Sequence, residues 1–363
     1  MEKFKNSNFE LLRIVAMLMI VAHHYCVHGV FDFWHGGDFP TSYINSVLIA
    51  MTSGLGKIGV NIFVLITGYF MIKKDFKISR ILKLYFKTLF YSLFFLLVFC
   101  LLTHFHIPSK KILASIFPIG KNSYWFISAY LILSLFVPCL NKFILTTKKS
   151  LLNSLVFVST VLWVIAPTFT TFDYYFSDLI WFFYLYFIGS SLRLEKFANI
   201  FNNKKLFKIL FVLSIVFLLI NSLIICAKNN VDLWKTIRFS KMNSLFIFSI
   251  SIFIFHYFKN LNLKYNKFIN WVSASVLGIY LFHDNLFVRP ILWQNVFHPC
   301  LLIDKSYMVF YLLFSVFVVF FFGIFLDKFL AHFSNKPIEN LSNFLENKFK
   351  KCLVKFLRFS RKF

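Results

Sequence analysis

The sequence predicts an all-α polytopic membrane protein with about ten transmembrane helices and both termini in the cytoplasm. Three observations predict it. Apolar residues make up 59% of the 363, and mean hydropathy is +0.73, beyond what a water-soluble core and surface use together. The apolar residues fall in consecutive runs near the roughly 20 residues that cross a bilayer. The charged residues, only 15% of the chain, gather between those runs.

Taken in order, the expected spans are Phe9 to Val27, Ser46 to Ile72, Leu84 to His104, Tyr124 to Leu140 and Leu151 to Pro167. They continue with Leu179 to Leu194, Leu206 to Cys226, Ser244 to Phe258, Trp271 to Val288 and Tyr307 to Phe329. The first follows Lys3 and Lys5 as a signal sequence would, but Arg13 interrupts its apolar run and no small-residue cleavage site follows, so it is expected to remain as a helix. The span from Ser244 is the shortest. The loop with Lys73, Lys74, Lys77, Arg80 and Lys83 fixes the orientation, because Lys and Arg favour the cytoplasmic side. The outer loops holding Asp32, His35 and Asp38, and Asp173 and Asp178, carry no Lys or Arg.

Residues 1–335 read as one ten-helix domain and 336–363 as a basic amphipathic cytoplasmic tail. After Pro337, Leu341, Phe344, Leu345, Phe349, Leu353, Phe356 and Leu357 recur at helical spacing among Lys348, Lys350, Lys351, Lys355, Arg358, Arg361 and Lys362. That pattern suits a helix lying on the inner leaflet, with membrane lipids as its partner. The net charge of +25 would suggest nucleic acid in a soluble protein, but these cations flank apolar spans, so no nucleic-acid partner is expected. The six cysteines show no zinc spacing and no C-x-x-C pair, so no metal is expected; they read as small apolar fillers, with a Cys226–Cys300 disulfide left open.

Ionisable groups inside spans are costly and therefore informative. Arg13 and His24 lie eleven residues apart, close to three full helical turns, so they share one face about 16 Å apart along the axis, with His23 beside them. That column faces either a polar cavity or, in a plain packing role, the headgroups and neighbouring helices. In the second span Lys57 and Asn61 are i,i+4 neighbours, and Gly54, Gly56, Gly59 and Gly68 allow another backbone or a ligand to come close. Late in the ninth span, His283 precedes Asp284 and Asn285 at a depth comparable to His24.

These segments together resemble the membrane acyltransferase family called acyltransferase 3. The resemblance rests on Phe9 to His24, with Arg13 separated from His24 by ten residues, and on Gly59-Val60-Asn61-Ile62-Phe63 leading to Thr67-Gly68-Tyr69-Phe70. It continues through Tyr124-Trp125-Phe126 with Pro138 and through Gly278-Ile279-Tyr280-Leu281-Phe282-His283, in the expected order along nearly the whole chain. It departs at Thr67, where many members carry Ser.

The resemblance implies a ten-helix enzyme of the cell membrane that takes an acyl group, usually acetyl, from cytoplasmic acyl-CoA. The acceptor it implies is a hydroxyl of a surface polysaccharide or lipid-linked glycan precursor. Acetyl-CoA would be a co-substrate, with no permanently bound cofactor. His24 would correspond to the essential histidine and Arg13 to its partner, with His283 a further catalytic candidate. A sugar hydroxyl is a poor nucleophile near neutral pH, so an imidazole is needed either as base or as transient acyl carrier. Arg13, Lys73, Lys74, Lys77 and Arg80 are candidates for the CoA phosphates. Lys57, Asn61 or Tyr69 would face the developing oxyanion. Tyr124 and Trp125 suit either sugar stacking or an interfacial aromatic belt. The competing function is a glycan or lipid-linked oligosaccharide flippase, which the lack of an internal repeat disfavours.

Overall fold

The computed structural model describes residues 6–31, 42–103, 107–121, 123–170, 177–227 and 238–360, with only the backbone for 225 and 353–360. The loop residues Asp32, His35, Asp38 and Asp173 lie outside the described residues, as do Arg361, Lys362 and the side chains of Leu353, Lys355, Phe356, Leu357 and Arg358. The described chain is helical, without strands.

Helix α1 (Ser7–Cys26) runs on through a π-turn at Val27–Phe31. α2 (Tyr43–Ser53) and α3 (Leu55–Met71) form one span interrupted at Gly54, and α4 (Ile78–Leu102) follows. A short α5 (Ser109–Ile116) leads to α6 (Trp125–Thr146) and α7 (Lys149–Thr160), which extends through a π-turn to Phe169. α8 (Asp178–Leu194), α9 (Lys204–Cys226), α10 (Leu245–Lys259), α11 (Lys267–Ser273), α12 (Val276–His283) and α13 (Met308–Ser360) complete the bundle. Side chains that accept from a helix's third amide start four of them: Ser177 for α8, Asn203 for α9, Ser244 for α10 and Asn266 for α11.

Seven helical segments among the described residues are long and apolar enough to cross a membrane. The other three expected spans fall in shorter pieces. α8 has 17 residues and α10 has 15, while the ninth expected span is broken between α11 and α12. At 1.5 Å per residue, α8 and α10 reach only about 22–25 Å.

The packing identifies the solvent. α9 exposes Ile209, Val212, Leu213, Val216 and Ile220, and α13 exposes Phe310, Phe314, Phe317, Phe321 and Phe325, each set at helical spacing. Apolar stripes of that length are lipid-facing surfaces, which makes this a membrane protein.

At the centre, α3 lies between α1 and α8 with its backbone nearly touching both. A Cβ on Gly59 would lie 2.5 Å from the Ala16 carbonyl of α1, and one on Gly68 would strike the Tyr186 carbonyl of α8. Here helix packing explains the glycines. On the far side, Asp327 of α13 accepts from Lys87 Nζ and Tyr91 Oη of α4, both at 2.7 Å, which ties the last span to the third.

At the C-terminal end the last span and the tail form one helix. The helix does not stop at Pro337, since α13 continues through it from the last span and crosses the 335/336 boundary. Contacts along its length hold the extension: Glu339 pairs with Lys83 at the base of α4, and Ser342 and Glu346 are buried. The six cysteines are all free, Cys226 and Cys300 among them.

Candidate functional site

The shared face of Arg13 and His24 lines a cavity of about 280 Å³ inside the bundle. α1 supplies Arg13, His23 and His24, α3 supplies Lys57 and Thr67, and α6 supplies Trp125 and Tyr130. Ser273 of α11 and Tyr280 of α12 complete its polar lining. The cavity therefore extends along α1 over the three turns that separate the guanidinium from the imidazole.

Arg13 is held at its end by Glu10, one turn earlier. Its Nη1 donates to both Glu10 oxygens, at 2.9 and 3.1 Å, and Ser273 Oγ donates to Glu10 Oε2 at 2.5 Å. Glu10 is buried, so this carboxylate accepts from two helices at once and locks α1 to α11. The Arg13 side chain remains 34% exposed. Glu10 was missed from the sequence, although its i,i+3 spacing to Arg13 on one helix face was a readable signal.

At the other end stands a cluster of imidazoles. His24 lies 4.9 Å from His28 and 5.0 Å from His283, ring centre to ring centre, with His23 at 5.5 Å. Asp284 Oδ1 lies 4.0 Å from His24 Nδ1, 3.9 Å from His28 Nε2 and 3.3 Å from Arg289 Nη1. His24 Nδ1 and His283 Nε2 are buried without a hydrogen-bond partner among the described residues. His283 Nδ1 faces the Ile279 carbonyl at 2.6 Å. A carbonyl can only accept, so Nδ1 carries the proton and Nε2 is left with a lone pair. His28, at i+4 from His24, was also readable from spacing; Arg289 was not, because it and its partner Asp284 both lie beyond the end of α12.

His23 is fixed differently. Its Nδ1 bonds the Ser53 carbonyl at the break between α2 and α3, and its ring rests on Gly56, where a Cβ would lie 2.5 Å away. Lys57, the next residue, reaches into the cavity with its ammonium 5.8 Å from the centre of the Trp125 ring.

Several residues singled out in the sequence stand away from the cavity. Asn61 is fully buried and turned toward α8 and α10: it donates to the Met242 carbonyl and Ser251 Oγ and accepts from Trp181 Nε1. Tyr69 accepts from Arg193 Nη1 at 3.1 Å and lies under that guanidinium. Tyr124 donates to the Leu281 carbonyl and accepts from Asn285. His283 stands behind His24 without lining the cavity itself. Lys73, Lys74 and Lys77 are exposed beyond α3, and Arg80 donates to the Asp75 carbonyl, so none of these four lines it.

This arrangement can position an anionic group at Arg13 and Lys57 and offer imidazole nitrogens for proton or group transfer. His24, His28 and Asp284 also present three ligand atoms within 4.8 Å of one another, a spacing from which a divalent ion could be drawn in. Against that, Arg289 already neutralises the one carboxylate of the set.

A family model described as an acyltransferase domain, acyltransferase 3, matches residues 6–327. No curated protein and no solved structure matches the chain. The matched stretch contains every residue of the cavity and of the histidine cluster.

Proposed function

The chain belongs to the acyltransferase 3 family of membrane acyltransferases, and from that premise we propose that it transfers an acyl group, acetyl in the first instance, from cytoplasmic acyl-CoA to a hydroxyl of a surface polysaccharide or lipid-linked glycan precursor. In this reading it crosses the cell membrane about ten times, with both termini in the cytoplasm. The observation that carries it is the single cavity lined by Arg13 at one end and His24 at the other.

The chemistry assigns each end a role. Phosphates of CoA enter from the basic side, where Arg13 offers charge-assisted hydrogen bonds and the loop cations Lys73, Lys74, Lys77 and Arg80, outside the cavity, add positive charge. The acceptor hydroxyl attacks the thioester carbonyl and its proton passes to His24; the C–S bond then breaks and the proton leaves with the CoA thiolate. His283 Nε2 is a second base within the same cluster. The ammonium of Lys57 supports the oxyanion formed in the attack, and Trp125 beside it offers a face for the sugar.

The test is mass spectrometry of surface glycans from cells that carry the wild-type protein, no protein, or His24→Ala. Loss of one acetyl mass in both altered strains, with the variant present in the membrane at wild-type level, is expected. Unchanged glycan in cells without the protein would overturn the function. A missing repeat unit in place of a missing acetyl group would establish the flippase reading instead.

A further inference from the structure

A second cleft, remote from the histidine cavity, has the form of a binding site for a membrane lipid. Its apolar part is a groove of about 460 Å³ between α7, α9 and α10. Along α7 the lining runs from Asn153 to Ile165, which at 1.5 Å per residue is about 18 Å, a little more than half of the roughly 30 Å hydrocarbon core. Phe157 and Ile200 on its rim are 69% and 62% exposed, so the groove opens sideways to hydrocarbon.

At its end the groove meets a polar recess of about 440 Å³ lined by Lys204, Lys259, His256, Asn202, Asn260 and Glu195. Asn199 lines both, so the two are continuous across the short turn Asn199–Asn202. The residues of that turn divide between the two faces: Ile200 and Phe201 face the groove and Asn202 the recess. The chain reaches this turn through left-handed backbone at Glu195 and Ala198.

Two observations indicate that the recess holds a ligand with hydrogen-bonding oxygens. His256 is 4% exposed and donates from Nε2 to the Phe201 carbonyl, which leaves a buried lone pair on Nδ1, without a partner among the described residues, for a donor such as a headgroup hydroxyl. Asn202 Nδ2 is likewise buried and unpartnered. Buried polar atoms left unmatched are costly, and an amide N–H wants an acceptor. The charge has the matching sign. Lys204 and Lys259 outnumber Glu195, whose carboxylate is 69% exposed and only 3.7 Å from Lys259, a weak pair that a stronger anion displaces.

We propose that this cleft binds one anionic phospholipid, with an acyl chain in the groove and the phosphate between Lys204 and Lys259, hydrogen-bonded by Asn202. The site is independent of acyl transfer and stands or falls without it. Basic recesses between spans at the cytoplasmic face are suited to such headgroups, and the orientation proposed above puts the recess there.

The full-length protein, purified in detergent after incorporation into bilayers of equal phosphatidylglycerol and phosphatidylcholine, is assayed for retained lipid by native mass spectrometry. One phosphatidylglycerol per chain is expected to persist in preference to phosphatidylcholine. The Lys204→Gln/Lys259→Gln variant is expected to reduce that retention on the order of ten-fold. Ser249→Trp, which fills the groove and leaves both lysines in place, is expected to reduce it as well, with thermal unfolding of each variant as the control for folding. Equal retention of the two lipids, or undiminished retention in the lysine variant, overturns the proposal. So does displacement of the lipid by millimolar glycerol phosphate in the wild type, which would make the recess a site for a free phosphate ester.

Discussion

Replacing Asp284 by Asn tests whether the carboxylate beside His24 acts in the reaction. The substitution keeps the shape and removes one charge. When His24 takes a proton, its imidazolium stands 4.0 Å from Asp284 Oδ1, an attraction of about 4 kcal/mol at an effective dielectric of 20. Arg289 works against it. Its Nη1 is 3.3 Å from the same oxygen, so it lies no more than about 7 Å from His24 Nδ1 and repels the imidazolium by about 2 kcal/mol. The Arg289 side chain is one-third exposed and turns to solvent once its partner is neutral, which removes that repulsion. The net loss is about 2 kcal/mol, or roughly thirty-fold in rate. Transfer of radiolabelled acetyl from acetyl-CoA by purified protein, with glycan acceptor in excess, should show this fall in kcat and little change in KM for acetyl-CoA. Because Arg289 no longer matters in the variant, adding Arg289→Gln should cost nothing more. Activity of Asp284→Asn within two-fold of wild type, at matched protein level and thermal stability, would refute the electrostatic role.

Other substitutions separate the two ends of the cavity from its frame. Glu10→Gln loosens the hold on Arg13; it should raise KM for acyl-CoA about ten-fold, as expected for one charge-assisted hydrogen bond, and change kcat little in steady-state assays. Gly56→Ala puts a methyl group 2.5 Å from the His23 side chain; overpacking of about 1–3 kcal/mol should lower the unfolding temperature in a fluorescence scan and reduce activity with it. Asn61→Ala removes the acceptor that Trp181 Nε1 donates to and the two bonds that Asn61 donates, at a cost of about 1–3 kcal/mol. It should destabilise the protein with no change in KM for either substrate, whereas a raised KM for the acceptor would return Asn61 to the site.

Much of the candidate site was legible because it is written on one helix. Arg13 and His24 share a face by the arithmetic of 3.6 residues per turn, and the cost of burying either group in lipid pointed to an enclosed space. The structure supplies that space. Asn61 and Tyr69 were harder, because a helix has several buried faces and spacing cannot say which neighbour each one meets. Asn61 meets α8 and α10, and Tyr69 meets Arg193. The spans at α8, α10 and α11–α12 were read as crossings from their apolar content, with only the one from Ser244 marked as short. Where these elements end depends on packing against neighbouring helices, which composition does not record.

By itself the sequence determined that this chain lives in a membrane, because runs of apolar residues have nowhere else to be buried, and it determined which face of α1 is polar, because helical geometry is local. Only the tertiary structure decided what that face meets. Glu10 reaches Ser273 and His24 reaches His283 and Asp284 across more than 250 residues of chain. Such contacts depend on how separate helices dock, and docking is set by the close approach of backbones at Gly59 and Gly68 as much as by any residue of the site.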